Sequence, residues 1–289
     1  MNAPRIRSRA ARRYSGGMLE NPRAARVRTI RKLSQRTVRR ETGRFLLEGP
    51  QAVREALTYR PDLVEDLFAT PTALEKHGDI RTLIDDAQAE NPDLEWEYAD
   101  EAVIDAMSDT VTPQGFVAVA KQNPTGLKDI FASEPKLVVI CEEVRDPGNL
   151  GTILRAADAA GADAVVLTGR TVDPFNPKVV RSTTGSLFHV PFAVDADLAD
   201  VTGRARGAGL QVLAADVKGD DLLGVRSEGA LENPTAWVFG NEARGLTGDD
   251  LALCDRALRL PIYGAAESLN LATAASVCLY ETAFAQRSM

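Results

Sequence analysis

Two apolar runs near the end of the chain each stop at a loop, and this pairing limits the fold more than any other feature of the sequence. Ala236 to Phe239 ends at Gly240-Asn241-Glu242; Ala257 to Leu260 ends at Pro261, after which Gly264 to Ser268 leads into an Ala-rich helical pattern. Short apolar runs bounded in this way read as buried strands, each breaking into a loop ahead of a helix. Such breaks belong at the carboxyl edge of a parallel sheet, where α/β folds hold their ligands. A glycine at that edge lets a ligand approach the backbone closely, and Asn241, Glu242, Ser268 and Asn270 place four polar groups beside it. Taken one at a time, these residues are better explained by an ordinary turn and an ordinary helix N-cap.

The stretch before them repeats the pattern. Lys136 to Cys141 reads as a strand buried on both faces, followed by a turn at Asp146-Pro147-Gly148 and a helix from Asn149 to Ala160 that closes at Gly161. On that helix Ile153, Leu154 and Ala157 form the core-facing stripe, and Arg155 points away from it. Further strands are expected at Ala164 to Leu167 and Leu210 to Ala215, and a helix at Asp197 to Ala208. A short helix opens at Asn176-Pro177, with Asn176 as its N-cap, and presents Lys178 and Arg181. His189 precedes a strand and is expected to be structural. The alternation predicts an α/β domain with a mainly parallel sheet of six strands and helices on both faces.

Together the segments DPGNLGTILRAADAAG, GNEARGL and LPIYGAAESLN resemble the three signature motifs of the SpoU-type (TrmH-like) RNA ribose 2'-O-methyltransferases of the SPOUT class. The matches are Asn149, Gly151 and Arg155; then Gly240-Asn241-Glu242 with Gly245-Leu246; then Leu260-Pro261 with Ser268, Leu269 and Asn270. The resemblance implies a deep trefoil knot in the segment after Leu260, a homodimer, and S-adenosylmethionine as cofactor without a metal. It also implies a cofactor site at Ala214, Ala215, Phe239, Gly240, Asn241, Leu260, Ile262 and Leu269. Catalysis would fall to Arg155, assisted by Asn149, Glu242, Ser268 and Asn270. A guanidinium keeps its proton above about pH 12, so Arg155 is better suited to holding a phosphate and a developing oxyanion than to acting as a base.

The first part of the chain differs in charge. Up to Arg44 there are 14 Lys and Arg against 2 Asp and Glu, a net +12 within a chain whose total is -7, so the remainder carries -19. A basic arm of this density suits a polyanion. Residues 1–21 are expected to be a disordered basic arm. Val27, Ile30, Leu33 and Val38 then mark an amphipathic helix whose outer face carries Arg28, Arg31, Lys32, Arg36, Arg39 and Arg40, with Arg44 beyond it; with Lys178 and Arg181 these are the candidate RNA contacts. Alternating elements follow to residue 122, a small α/β sandwich in which FLLEGPQAVREAL and QGFVAVA resemble the ribosomal-protein-like RNA-binding domain often fused ahead of SpoU-type catalytic domains. A polar linker occupies 123–135 and the methyltransferase domain 136–289.

No run of about 18 apolar residues is present, and the basic N-terminus has no apolar stretch behind it, so neither a membrane span nor a signal peptide is expected. Cys141, Cys254 and Cys278 suit reduced core thiols in a cytoplasm, and two histidines are too few for a histidine metal centre. A Rossmann nucleotide enzyme is disfavoured because neither GxGxxG after a strand nor GxxxxGK[ST] occurs. The expected activity is 2'-O-methylation of 23S rRNA; the alternatives are a tRNA 2'-O-methyltransferase and a non-catalytic RNA-binding member of the fold.

Overall fold

Aliphatic runs and amphipathic segments alternate along the whole chain, and a computed structural model shows what each becomes. It describes residues 17–287, apart from the side chain of Asp195. The expected disordered arm lies outside the described residues as far as position 16. Contacts divide the chain into two compact units between Gln122 and Asn123.

The first unit runs α1 (Ala25–Arg31), α2 (Arg36–Thr42), β1 (Arg44–Glu48), α3 (Pro50–Tyr59), β2 (Val64–Ala69), α4 (Pro71–Lys76), α5 (Gly78–Glu90), β3 (Glu95–Tyr98), α6 (Glu101–Met107) and β4 (Phe116–Lys121). Its four strands lie in the order β1-β4-β2-β3, with β4 antiparallel to both neighbours and β3 parallel to β2. Val27 and Ile30 of α1, Val103, Ile104 and Met107 of α6, and Leu46, Phe68, Val117 and Val119 of the sheet form one core. The single amphipathic helix expected over this region is instead two. Residues Lys32–Ser34 tighten into a 3₁₀ turn and Gln35 is extended, so the chain bends before α2. Arg39 reaches back to bond the carbonyls of Leu33 and Ser34 at 2.9 and 2.7 Å, satisfying groups that the broken helix leaves open.

The second unit runs α7 (Leu127–Ala132), β5 (Leu137–Glu142), α8 (Pro147–Ala160), β6 (Ala164–Thr168), α9 (Pro177–Thr183), β7 (Phe192–Ala196), α10 (Leu198–Gly207), β8 (Gln211–Asp221), α11 (Leu222–Ser227), β9 (Thr235–Phe239), α12 (Gly248–Ala252), β10 (Arg256–Arg259) and α13 (Leu271–Arg287). All six strands are parallel, in the order β10-β8-β9-β5-β6-β7. Ile130 and Phe131 of α7 and Leu198, Val201 and Ala205 of α10 cover one face through Val138, Ile140, Ala236 and Val238. α8 and α13 pack on each other, and α13 also packs on β9. There the Trp237 indole N–H donates to Thr282 Oγ1 at 2.9 Å, in a fully buried contact. Losing that ring would cost about 3–5 kcal/mol.

Local signals account for the ends of α8 and α9. Asp146 caps α8 and Gly161 ends it in the left-handed region (φ 70°), while Asn176 caps α9 with Pro177 at its first position. The second buried strand expected from the sequence is instead an edge strand: in β10 only Leu258 is buried, because β10 has a neighbour on one side alone. α11 had no counterpart among the expected elements.

Candidate active site

The sheet places the ends of β5, β8, β9 and β10 along one edge, and side chains then tie the loops together. β5 ends in Glu142, and the chain turns through Asp146, whose side chain caps the first turn of α8 at Asn149 N–H (2.8 Å). Glu242, just past β9, accepts the N–H groups of Arg145 and Asp146 at 3.1 and 2.9 Å and the Asn149 side-chain amide at 3.2 Å. Burial pushes the Glu242 carboxyl up, but these donors outweigh burial and hold it below the ordinary glutamate range. Asn149 Oδ1 accepts from Asn270 Nδ2 at 2.9 Å. Asn270 Oδ1 in turn accepts Ala272 N–H at 2.9 Å, at the start of α13. Three segments far apart in sequence meet in one chain of hydrogen bonds. Both Glu242 oxygens are engaged, so its carboxylate is suited to clamping loops together.

A second set of contacts braces the same loops. Asn241 Oδ1 accepts the N–H groups of Ala243 and Arg244, and its amide donates to the Glu143 carbonyl at 2.9 Å. Arg244 donates to the Glu143 carboxylate at 2.9 Å, and Arg145 pairs with it at 3.3 Å. The Arg244 hydrogen bond holds the Glu143 carboxyl below its usual range. Glu143 sits at φ 51°, a left-handed conformation that a non-glycine residue adopts only when its surroundings compel it. Neither Glu143 nor Arg244 stands out in the sequence, although Arg244 lies inside the GNEARGL segment. Gly240 has no room for a side chain: a Cβ would lie 2.7 Å from the Gly245 carbonyl carbon.

The third wall is built from strand register. Ala214 of β8 pairs with Val238, two residues before Gly240, on one side and with Ala257 on the other; past Ala257 the register shifts, and Leu258 and Arg259 lie beside Asp220 and Asp221. Ala214 is buried, Ala215 and Leu260 are half-buried, and Ile262 and Leu269 expose 37% and 40% of their surface. Among the described residues none from Pro261 to Leu269 makes a hydrogen bond, so their backbone groups stay available beside apolar side chains. That combination suits a flat heterocycle read through its edges. Phe239 is fully buried and stacked on Trp237, so only its backbone faces this region, and the Asn241 side chain is committed to its own turn. Arg155 and Ser268 are exposed, outside the hydrogen-bonded network. Gly151, one turn before Arg155, lets α9 pack closely against α8, where a Cβ would lie 2.4 Å from Ser182 Cβ. Lys178 is exposed on α9 and Arg181 half-buried.

His189 Nδ1 lies 2.8 Å from Asp158, which also accepts from Ser186, so this histidine braces the start of β7. In the first unit the basic residues sort into two groups. Arg28, Arg31, Lys32, Arg36 and Arg40 are exposed on α1 and α2 and the turn between them, and none has a carboxylate partner among the described residues. Arg39, expected on that face, is 1% exposed and bonds backbone carbonyls instead. Arg44 forms a forked pair with Glu65, so its charge is already met. No helix among the described residues is long and apolar enough to cross a membrane, and no group of three or more potential metal ligands occurs among them.

Residues 136–280 match the profile of the SpoU rRNA Methylase family, and residues 24–118 that of the MRM3-like substrate binding domain. The chain is 33% identical over 266 residues to 23S rRNA (guanosine(2553)-2'-O)-methyltransferase RlmP of Bacillus subtilis, covering 91% of this chain and 97% of that protein. It is 32% identical to the 23S rRNA (uridine(2479)-2'-O)-methyltransferase of Streptomyces viridochromogenes, covering 86% and 85%. Among solved structures, the AdoMet-bound rRNA methyltransferase of Sinorhizobium meliloti superposes with a TM-score of 0.77 at 31% identity, over 92% of this chain and 97% of that one. The SpoU methyltransferase AviRb of Streptomyces viridochromogenes, in complex with AdoMet, gives 0.75 at 29% identity, over 92% and 100%.

Proposed function

Because this chain belongs to the SpoU rRNA methylase family, we propose that it is an S-adenosylmethionine-dependent 2'-O-ribose methyltransferase acting on 23S rRNA. The supporting observation is the convergence of Asn149, Glu242 and Asn270 in one hydrogen-bonded network, directly after the Pro261 to Leu269 loop whose backbone groups make no hydrogen bond among the described residues. Bound there, S-adenosylmethionine supplies a methyl group activated by a sulfonium. The residues around it have to align and to manage charge. Alignment of two reacting partners is worth about 7–11 kcal/mol in favourable cases, and the doubly braced loops supply the rigidity it needs. Leu269 and Ile262 would cover the adenine, and backbone groups around Gly240 and Leu260 would read its edges. Arg155, exposed and without a hydrogen-bond or ion-pair partner among the described residues, would hold the target phosphate and steady the negative charge that grows on the 2'-oxygen as its proton passes to water.

Residues 22–122 grip the RNA and 136–289 transfer the methyl group; the stretch 123–135, expected as a polar linker, instead carries α7, whose Ile130 and Phe131 pack in the core of the second unit. The exposed cations of α1 and α2 and Lys178 meet phosphates; Arg39 is left out of that set and Arg44 is secondary to it. The trefoil knot belongs to this reading, supported by the route of the tail from the edge strand β10 back to α13 on β9 and α8. So does a homodimer, supported by the exposed Val277, Tyr280 and Phe284 of α13. A cytoplasmic location goes with an rRNA substrate. The test is methyl transfer from labelled S-adenosylmethionine to 23S rRNA, followed by mapping of the product. A label on a single ribose 2'-oxygen supports the reading; label on a base, or on none of the RNA, overturns it.

A further inference from the structure

The loop from Pro261 to Asn270 exposes one side chain that neither cofactor binding nor the hydrogen-bonded network explains. Tyr263 is 87% exposed, and its ring meets no other ring, cation or hydrogen-bond partner among the described residues. The next residue, Gly264, faces open space. Other exposed aromatic residues sit elsewhere: Tyr59 in the first unit, and Tyr280 and Phe284 on α13, where their centroids are 5.6 Å apart. The loop contains no Lys or Arg and one acid, Glu267. It is therefore poorly made for phosphate. An aromatic face is what it has to offer.

A ribose hydroxyl can approach a fixed methyl donor in line only if its nucleotide is drawn away from its stacked neighbours, and that base then needs a new surface. We propose that Tyr263 is a substrate-binding residue that stacks on a base at or next to the methylated nucleotide. The proposal rests on the methyltransferase reading above.

The test compares Tyr263→Ala and Tyr263→Phe with the wild-type chain on a 23S rRNA fragment containing the modified site. Loss of one stacked base corresponds to about 5- to 150-fold weaker binding, so Tyr263→Ala should raise the KM for RNA within that range while Tyr263→Phe stays near wild type. Calorimetric affinity for S-adenosylmethionine without RNA should be unchanged in both. A 2-aminopurine at the target should be quenched by the wild type and Tyr263→Phe, and left bright by Tyr263→Ala. Unchanged RNA affinity in Tyr263→Ala overturns the proposal, as does weakened cofactor binding or an altered sedimentation coefficient, which would place the ring in the cofactor pocket or between protomers. If the wild type itself methylates no RNA, the broader reading fails instead.

Discussion

Asn149 and Asn270 share a hydrogen bond of 2.9 Å across 121 residues of chain, and the Asn149 amide group also donates to Glu242. One side chain thus joins the start of α8, the loop after β9 and the start of α13. Removing it should disturb alignment more than stability, since the residue is only partly buried and a net hydrogen bond contributes about 0.5–1.5 kcal/mol. Asn149→Ala is expected to lower kcat about 100-fold, the scale on which a 1 Å misplacement acts, with a small change in denaturant midpoint. A variant that unfolds without losing turnover per folded molecule would contradict this.

Arg155 stands outside that network, and its guanidinium, unbonded among the described residues, is where the chemistry of the hydroxyl should show. Arg155→Ala is expected to lower kcat by about 10²- to 10³-fold, as loss of an oxyanion donor does, while calorimetric affinity for S-adenosylmethionine stays nearly intact. Arg155→Lys should recover little, because a point charge does not reproduce a planar fork. Equal loss of cofactor affinity would reject the assignment.

The cations of α1 and α2 make a different kind of prediction. Arg36 and Arg40 are exposed and have no acid partner among the described residues, whereas Arg44 is already paired with Glu65. Replacing both Arg36 and Arg40 by Ala should reduce the slope of log affinity against log salt by about 1 to 2, and weaken binding to unrelated RNA sequences to the same degree. Replacing Arg44 alone should change the slope less. Filter binding across a salt series measures both.

Much of the second unit is legible in the sequence because its elements announce themselves locally. Asp146 and Gly161 mark the ends of α8, Asn176-Pro177 opens α9, and the runs at β5 and β9 are uninterrupted. What stays hidden depends on partners distant in the chain. The motifs name Glu242, but nothing local says that it grips the backbone at residues 145 and 146. Likewise Arg39 has the spacing of an outer-face residue and is drawn inward only because the first helix breaks at Ser34 and leaves carbonyls to satisfy. The run Ala257 to Leu260 reads as a buried strand, yet the strand that forms, β10, begins and ends in arginine and lies at an edge of the sheet.

α13 leaves Val277, Tyr280 and Phe284 exposed at spacings of three and four, which puts them on one side of the helix. If a second copy covers this side, sedimentation velocity should give a dimer for the wild type, and Phe284→Asp should shift it toward monomer by placing a charge in an apolar contact. A wild-type monomer at micromolar concentration would remove the dimer from the proposal.

Glu142 ends the central strand β5 with 8% of its surface exposed, and its Oε2 has no hydrogen-bond partner among the described residues. Burial pushes its pKa up, with Asp250 and Glu143 adding to the rise, while Thr168 and Arg244 oppose it. A carboxyl raised in the fold is more easily kept neutral there than in the unfolded chain, so its favourable contribution is complete below the unfolded value of about 4.3. That contribution is lost as pH rises through the folded value, and the loss persists above it. Glu142→Gln keeps the shape and cannot ionise, so it should be more stable than the wild type at pH 8, and the gap should narrow toward pH 4. Urea midpoints at several pH values between these limits measure the difference. A gap that stays constant with pH would mean that Glu142 titrates alike in the folded and unfolded chains.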